Sequence, residues 1–113
     1  LCYVNYSPCA EEVADYVASY AGRIGPITQW FAKYPEGLAT VDPHLAELDL
    51  PVKVFWGETD QLLFVDNGKR LHERLKRSEL TVFSNCGHFS YQDQADEFAQ
   101  MVIDWVDGGY RSV

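Results

Sequence analysis

An aspartate and a histidine, each presented by a glycine turn after a short apolar run, are the residues of this chain whose types and spacing point to chemistry. The first lies in Pro51-Val-Lys-Val-Phe-Trp-Gly-Glu-Thr-Asp60, where a strand-like run breaks at Gly57 and then offers Asp60. The second lies in Asn85-Cys-Gly-His88-Phe, directly after the strand-like run Leu80-Thr-Val-Phe-Ser84. A histidine can take a proton from a nucleophile or activate a water, and an acid beside it fixes its tautomer and stabilises the imidazolium. These are two of the three parts of a nucleophile–His–acid machine. The third is missing: no Gly-x-Ser-x-Gly, nor a Cys or Asp version of that elbow, occurs in the 113 residues.

Rival residues have plainer readings. Glu58 neighbours Asp60, but the strand–Gly–x–x–Asp spacing favours Asp60. Asp66 and Asp93 each precede or open a helical pattern and read as caps. Cys86 reads as a small buried filler rather than a thiol nucleophile, because adjacent loop residues rarely point at each other. Ser7, Ser19, Ser78, Ser84 and Ser90 stand in no elbow context. Leu62 and Phe89 flank the acid–histidine pair and are expected to line an apolar substrate pocket; Trp30 and Phe31 read either as its roof or as simple packing within the helical segment.

The elements that must position these residues change character along the chain. Ser7-Pro8 reads as a helix start, followed by Val13, Tyr16, Val17, Tyr20 and Ala21 at helical spacing, with Gly22 as the stop. A second helix is expected after Gly25-Pro26, carrying Ile27, Trp30, Phe31 and Tyr34, and ending at Pro35. A third, short piece starts at Asp42-Pro43 with Leu45 and Leu48. From Leu50 the rhythm becomes strand, helix, strand, helix. The strands are Val52 to Trp56 and Leu80 to Ser84. The helices run from Asp66 to about Arg77, with Leu71 and Leu75 inside, and from about Gln94 to Val106. The last carries an apolar stripe of Ala95, Phe98, Ala99, Val102, Ile103 and Val106. The fold class is α/β, with two parallel strands joined by a helical crossover. The expected division is a helical segment over 1–43 and an α/β portion over 44–113. Two parallel strands normally have further neighbours, so Val52, Val54 and Phe55 are expected to lie uncovered on a bare edge.

A net charge of −8 argues against a nucleic-acid partner, since phosphate binding needs clustered Lys and Arg. The one basic cluster, Lys69, Arg70, Arg74, Lys76 and Arg77, reads as a solvated helix face. No apolar run reaches the ~20 residues of a membrane span. Cys2, Cys9 and Cys86 make no Cys-x-x-Cys motif and no even-numbered framework, which suits a reducing compartment such as the cytoplasm. His44, His72 and His88 lack zinc-ligand spacing, so neither a metal nor an organic cofactor is implied.

Residues 45–110 resemble the C-terminal part of the α/β-hydrolase superfamily. Leu50 to Leu63 looks like its seventh strand and acid loop, Asn85 to Phe89 like its histidine loop, and Glu97 to Trp105 like its closing helix. Residues 1–40 are similar to the end of the helical cap of epoxide hydrolases, haloalkane dehalogenases and related esterases. The acid-before-histidine order is also that family's. The resemblance implies a partial α/β-hydrolase fold in which Asp60 is the triad acid and His88 the base. It implies a small, mostly apolar ester, epoxide or halide as substrate, with the nucleophile supplied by an upstream portion or another chain. The partners expected are therefore a small-molecule substrate and either a complementary N-terminal hydrolase portion or a second copy. The alternative is a non-catalytic, self-associating module derived from the same fold.

Overall fold

The computed structural model describes residues 2–111. They form two compact units, one of Ser7–Leu45 and one built from Ala46 onward together with the segment that ends at Tyr6.

The Ser7–Leu45 unit is helical. Helix α1 (Ala10–Tyr20) starts later than Ser7-Pro8 suggests: Cys9 is its N-cap residue, and the Cys9 N–H donates to the Glu12 carboxylate at 2.7 Å. An acid three residues into a helix is well placed to satisfy that otherwise free donor. Gly22, at φ +70°, takes the left-handed conformation that closes the helix. Helix α2 (Ile24–Val41) runs through Pro35, where a helix end was expected. An interior proline costs about 3 kcal/mol, and Glu36, Leu38 and Ala39 beyond it are good helix formers that carry the helix on. A 3-10 turn, Asp42–Glu47, follows. Neither α1 nor α2 has a buried residue. Val17, Tyr20, Ile24, Trp30 and Leu38 of these helices are exposed.

The other unit holds the sheet. Strands β1 (Val52–Gly57) and β2 (Ser78–Phe83) pair in parallel, with Val52 opposite Ser78 and Gly57 opposite Phe83. Helix α3 (Asp66–Arg74) makes the crossover. Because both strands end at the same level, the loops carrying Asp60 and His88 leave the same end of the sheet. Successive side chains of a strand point to opposite faces, and the two faces of β1 meet different helices. Trp56 lies against Gly68 of α3, so closely that a Cβ on Gly68 would meet the indole at 2.7 Å. Phe55 stacks edge-on with Phe98 of helix α5 (Ala95–Asp107), ring centroids 4.9 Å apart. Lys53 and Glu79, opposite each other in the register, form an ion pair.

Val54, Leu75, Phe83 and Cys86 form the core. Val54 is therefore covered, contrary to the expectation of a bare face there, because α3 and α5 sandwich the strands. Phe55 stays 39 % exposed. Among the described residues the outer edge of β1 has no neighbouring strand. Helix α5 turns Phe98 toward the sheet, while Val102, Ile103 and Val106 of the expected inner stripe are exposed. The stripe is wider than a two-stranded sheet can cover. A four-residue helix α4 (Ser90–Asp93), which the sequence pattern does not foreshadow, lies between the histidine turn and α5.

Candidate active site

Asp60 follows β1 by three residues, and a chain of hydrogen bonds fixes its loop. Its backbone N–H bonds the Gly57 carbonyl at 3.3 Å, and Thr59 donates from both N–H and hydroxyl to the Cys86 carbonyl at 3.0 and 2.9 Å. The Trp56 indole N–H donates to the Leu63 carbonyl at 2.6 Å, closing the far side. Gly57 permits this convergence, since a Cβ there would lie 2.0 Å from the Gly87 carbonyl oxygen. Within the loop, Asp60 Oδ1 accepts the N–H groups of Leu62 (2.8 Å) and Leu63 (3.0 Å). That turn leaves Oδ2 facing the second loop.

His88 meets it there. His88 Nδ1 and Asp60 Oδ2 are 2.8 Å apart, joining residues 28 positions apart in sequence. Asp60 is 5 % exposed, and its carboxyl lies below its ordinary value. Burial alone would raise it, but the hydrogen bonds from His88, Leu63 and Leu62 and the attraction of the His88 charge outweigh burial. An ionised Asp60 has no proton to give, so Nδ1 carries the hydrogen and donates it. In the neutral ring Nε2 then holds the free lone pair, as a base requires.

Phe55, Trp56, Gly57, Asp60, Leu63, His88 and Ser90 line a cleft of about 250 Å³ at this pair. Leu63 is the loop leucine that lines it, while Leu62 is exposed and is not among the lining residues. Phe89 packs behind the histidine, 5.0 Å from the His88 ring and 5.3 Å from Tyr3. Trp30 belongs to the helical unit, where it is 63 % exposed and contacts Phe31 and Tyr34. Two larger depressions, of about 370 and 410 Å³, involve the opposite strand ends and the β2–α5 groove and include neither Asp60 nor His88. No group of metal-ligating residues occurs among the described residues.

Cys86 has no exposed surface. Burial raises its thiol above the ordinary value; a hydrogen bond with Ser90 opposes this, and the charges of Asp93 and Asp60 add to it. A buried neutral thiol is a poor nucleophile. An aromatic disulfide reagent should therefore label exposed Cys9 rapidly, and Cys86 only after unfolding. Rapid labelling of Cys86 in the native chain would contradict this environment.

Asp66, the first residue of α3, pairs with Lys69 at 2.9 Å, and Val65 holds the N-cap position. Asp93 is no cap of α5 either. It closes α4, is 7 % exposed, and its carboxylate accepts four backbone N–H groups, from Val4, Asn5, Tyr6 and Gly87. Nothing local in the sequence links position 93 to positions 4–6.

Asp60 and Asp93 both titrate below the ordinary carboxylate value of 3.8 in the folded chain. A depressed folded pKa contributes stability that is fully present above the unfolded value and lost as pH falls through the folded one. Urea unfolding should thus show stability falling below about pH 4, with a shallower fall in Asp60→Asn. Equal slopes in the two proteins would contradict the assignment for Asp60.

No family model matches the chain. It is 35 % identical over 92 residues to 2-hydroxy-6-oxononadienedioate/2-hydroxy-6-oxononatrienedioate hydrolase 1 of Dechloromonas aromatica (strain RCB), covering 81 % of the chain and 32 % of that relative. The structure of 2-hydroxy-6-oxo-6-phenylhexa-2,4-dienoate hydrolase from Rhodococcus sp. strain RHA1 matches at TM-score 0.54 and 28 % identity, over 60 % of this chain and 25 % of that one. A membrane phospholipase A, described as a bacterial virulence factor, matches at TM-score 0.67 over 95 % of this chain and 35 % of its own. At 24 % identity that last likeness concerns the fold alone. The chain spans about a third of the length of the curated relative.

Proposed function

From the premise that this chain is a C-terminal part of the α/β-hydrolase fold, we propose that it supplies the acid and the base of a nucleophile–His–acid hydrolase. The observation that carries the reading is the 2.8 Å contact between His88 Nδ1 and Asp60 Oδ2 at the mouth of an apolar cleft. Asp60 holds the ring in the Nδ1–H tautomer. His88 Nε2 takes the proton of the nucleophile or of the attacking water, and Asp60 stabilises the imidazolium that forms. The nucleophile and the donors that stabilise the oxyanion come from a complementary N-terminal hydrolase portion.

The substrate is a small molecule. The 2-hydroxy-6-oxo-dienedioates and -trienedioates in the name of the relative at 35 % identity, and the 2-hydroxy-6-oxo-dienoate in that of the solved structure at 28 %, are the first compounds to test. A small, mostly apolar ester, epoxide or halide also suits the Phe55, Trp56 and Leu63 lining. The three free thiols suit a cytoplasmic setting.

The test of this division of labour is the chain alone. It should hydrolyse neither nitrophenyl esters nor a 2-hydroxy-6-oxo-dienoate faster than its His88→Ala variant, because an acid and a base without nucleophile and oxyanion donors give little. Turnover abolished by His88→Ala would place a nucleophile within these residues and overturn the reading.

The second reading, a self-associating module, is favoured by the open β1 edge and the exposed Val102, Ile103 and Val106. Such surfaces recruit partners. Sedimentation at micromolar concentration should show species heavier than the 12.9 kDa protomer. A clean monomer with cooperative unfolding would mean that the open surfaces need no cover.

A further inference from the structure

Asp93 is a buried charge for which the proposed chemistry has no use. Its oxygens are nevertheless fully engaged. Oδ1 accepts from Asn5 N–H at 2.6 Å and Tyr6 N–H at 2.8 Å, and Oδ2 from Gly87 N–H at 2.7 Å and Val4 N–H at 2.9 Å. Burying a carboxylate is costly unless such bonds replace its water. Four aligned N–H groups are also an unusual concentration of donors on one side chain. Three of the four come from a single segment, and the fourth belongs to the residue just before His88.

Other contacts join the same two pieces of chain. The Phe89 N–H donates to the Cys2 carbonyl at 3.2 Å, and Asn5 Nδ2 donates to the Asn85 carbonyl at 2.7 Å. The Tyr3 hydroxyl donates to Gln92 Oε1 at 2.8 Å. Gly87 lies so near the segment that a Cβ on it would meet the Cys2 carbonyl oxygen at 2.5 Å. The histidine turn is thus gripped on both sides of His88, and Asp93 brings a buried charge to that grip.

We propose that Asp93 is a positioning residue for His88: its carboxylate ties the Gly87 N–H to the N–H groups of Val4, Asn5 and Tyr6, and so holds the turn where the His88 ring reaches Asp60. Asp93 does not touch the imidazole and acts through the backbone of Gly87. Its carboxyl lies below the ordinary value even though burial alone would raise it, because the bonds from Gly87, Asn5, Val4 and Tyr6 outweigh burial. The charged form is therefore the one that holds the turn. The inference rests on His88 being the base partnered by Asp60, and its readout is that partnership rather than hydrolysis.

The test is proton NMR of the full chain, following the hydrogen-bonded Nδ1–H resonance of His88, assigned by its disappearance in His88→Ala. Asp93→Asn keeps the side-chain volume but turns one acceptor into a donor that faces N–H groups. The folded variant should lose most of the resonance. Leu75→Ala, a core deletion in a different part of the unit, should retain it at temperatures where it stays folded. Val4→Pro removes one of the four donors from the other side and should weaken the resonance as Asp93→Asn does. A folded Asp93→Asn protein with the resonance unchanged would overturn the proposal. So would equal loss in folded Leu75→Ala, which would mean that the signal merely follows stability. If neither Asp93→Asn nor Val4→Pro folds, hydrogen exchange in the unaltered chain decides. The Gly87 amide should be protected together with those of Val4 and Asn5, and exchange at Gly87 far ahead of them would refute the link. Absence of the resonance in the unaltered chain would remove the Asp60–His88 partnership itself, a separate failure from the loss of Asp93's role.

Discussion

Replacing His88 with alanine should lower kcat by about ten-thousandfold or more once the chain is completed by a nucleophile-bearing portion. A practical setting is a chimera in which this chain replaces the matched segment of the Dechloromonas aromatica relative, assayed on that relative's own substrate. The loss should fall on kcat and leave KM nearly unchanged, because proton transfer at Nε2 is an interaction of the transition state. Asp60→Asn should be of similar severity for a different reason. Its amide can present an N–H toward His88 Nδ1, which must then accept, and Nε2 carries the hydrogen and no longer serves as base. The carbonyl oxygen of that same amide remains available to the Leu62 and Leu63 N–H groups that Asp60 Oδ1 now holds. The fold should therefore lose only about 1.5–3 kcal/mol, the range for hydrogen bonds to a charged group. A large activity loss beside a small stability loss separates a catalytic role from a structural one.

The second large effect is expected at Gly57. Alanine there puts a methyl group 2.0 Å from the Gly87 carbonyl oxygen and 2.5 Å from that of Cys86. Both are backbone atoms of the histidine turn and cannot rotate away, so the two loops must part. Overpacking of this kind costs about 3 kcal/mol or more, and the separation also lengthens the Asp60–His88 contact. Gly37 makes the comparison sharp. It lies inside α2, where a Cβ would meet nothing within 4 Å. There the same substitution should raise stability by about 0.5–1 kcal/mol through helix propensity. Urea midpoints at constant slope measure both. A Gly57→Ala protein as stable as the unaltered chain would mean that the loops do not converge as described.

The parts legible in the sequence were those with local punctuation. Pro51, Gly57 and Gly87 bracket apolar runs, and from them follow β1, β2, their parallel pairing and the loops that bring Asp60 to His88. The α/β-hydrolase resemblance rested on the same residues and is matched by the relatives and the solved structures. What failed depended on distant or competing interactions. Pro35 breaks a helix in isolation, but the flanking residues carry α2 across it. The stripe of α5 gives a correct helix, yet periodicity alone does not tell which half of it meets the sheet. Asp93 resembles a cap from its neighbours, and its actual partners Val4, Asn5 and Tyr6 lie 87 to 89 positions away.

The most direct measurement of the central claim is steady-state turnover by the folded chimera carrying this chain. The expected result is hydrolysis of the parent's substrate that depends on Asp60 and His88. A folded chimera that does not turn over, or one whose turnover survives His88→Ala, would contradict the assignment of these two residues as acid and base.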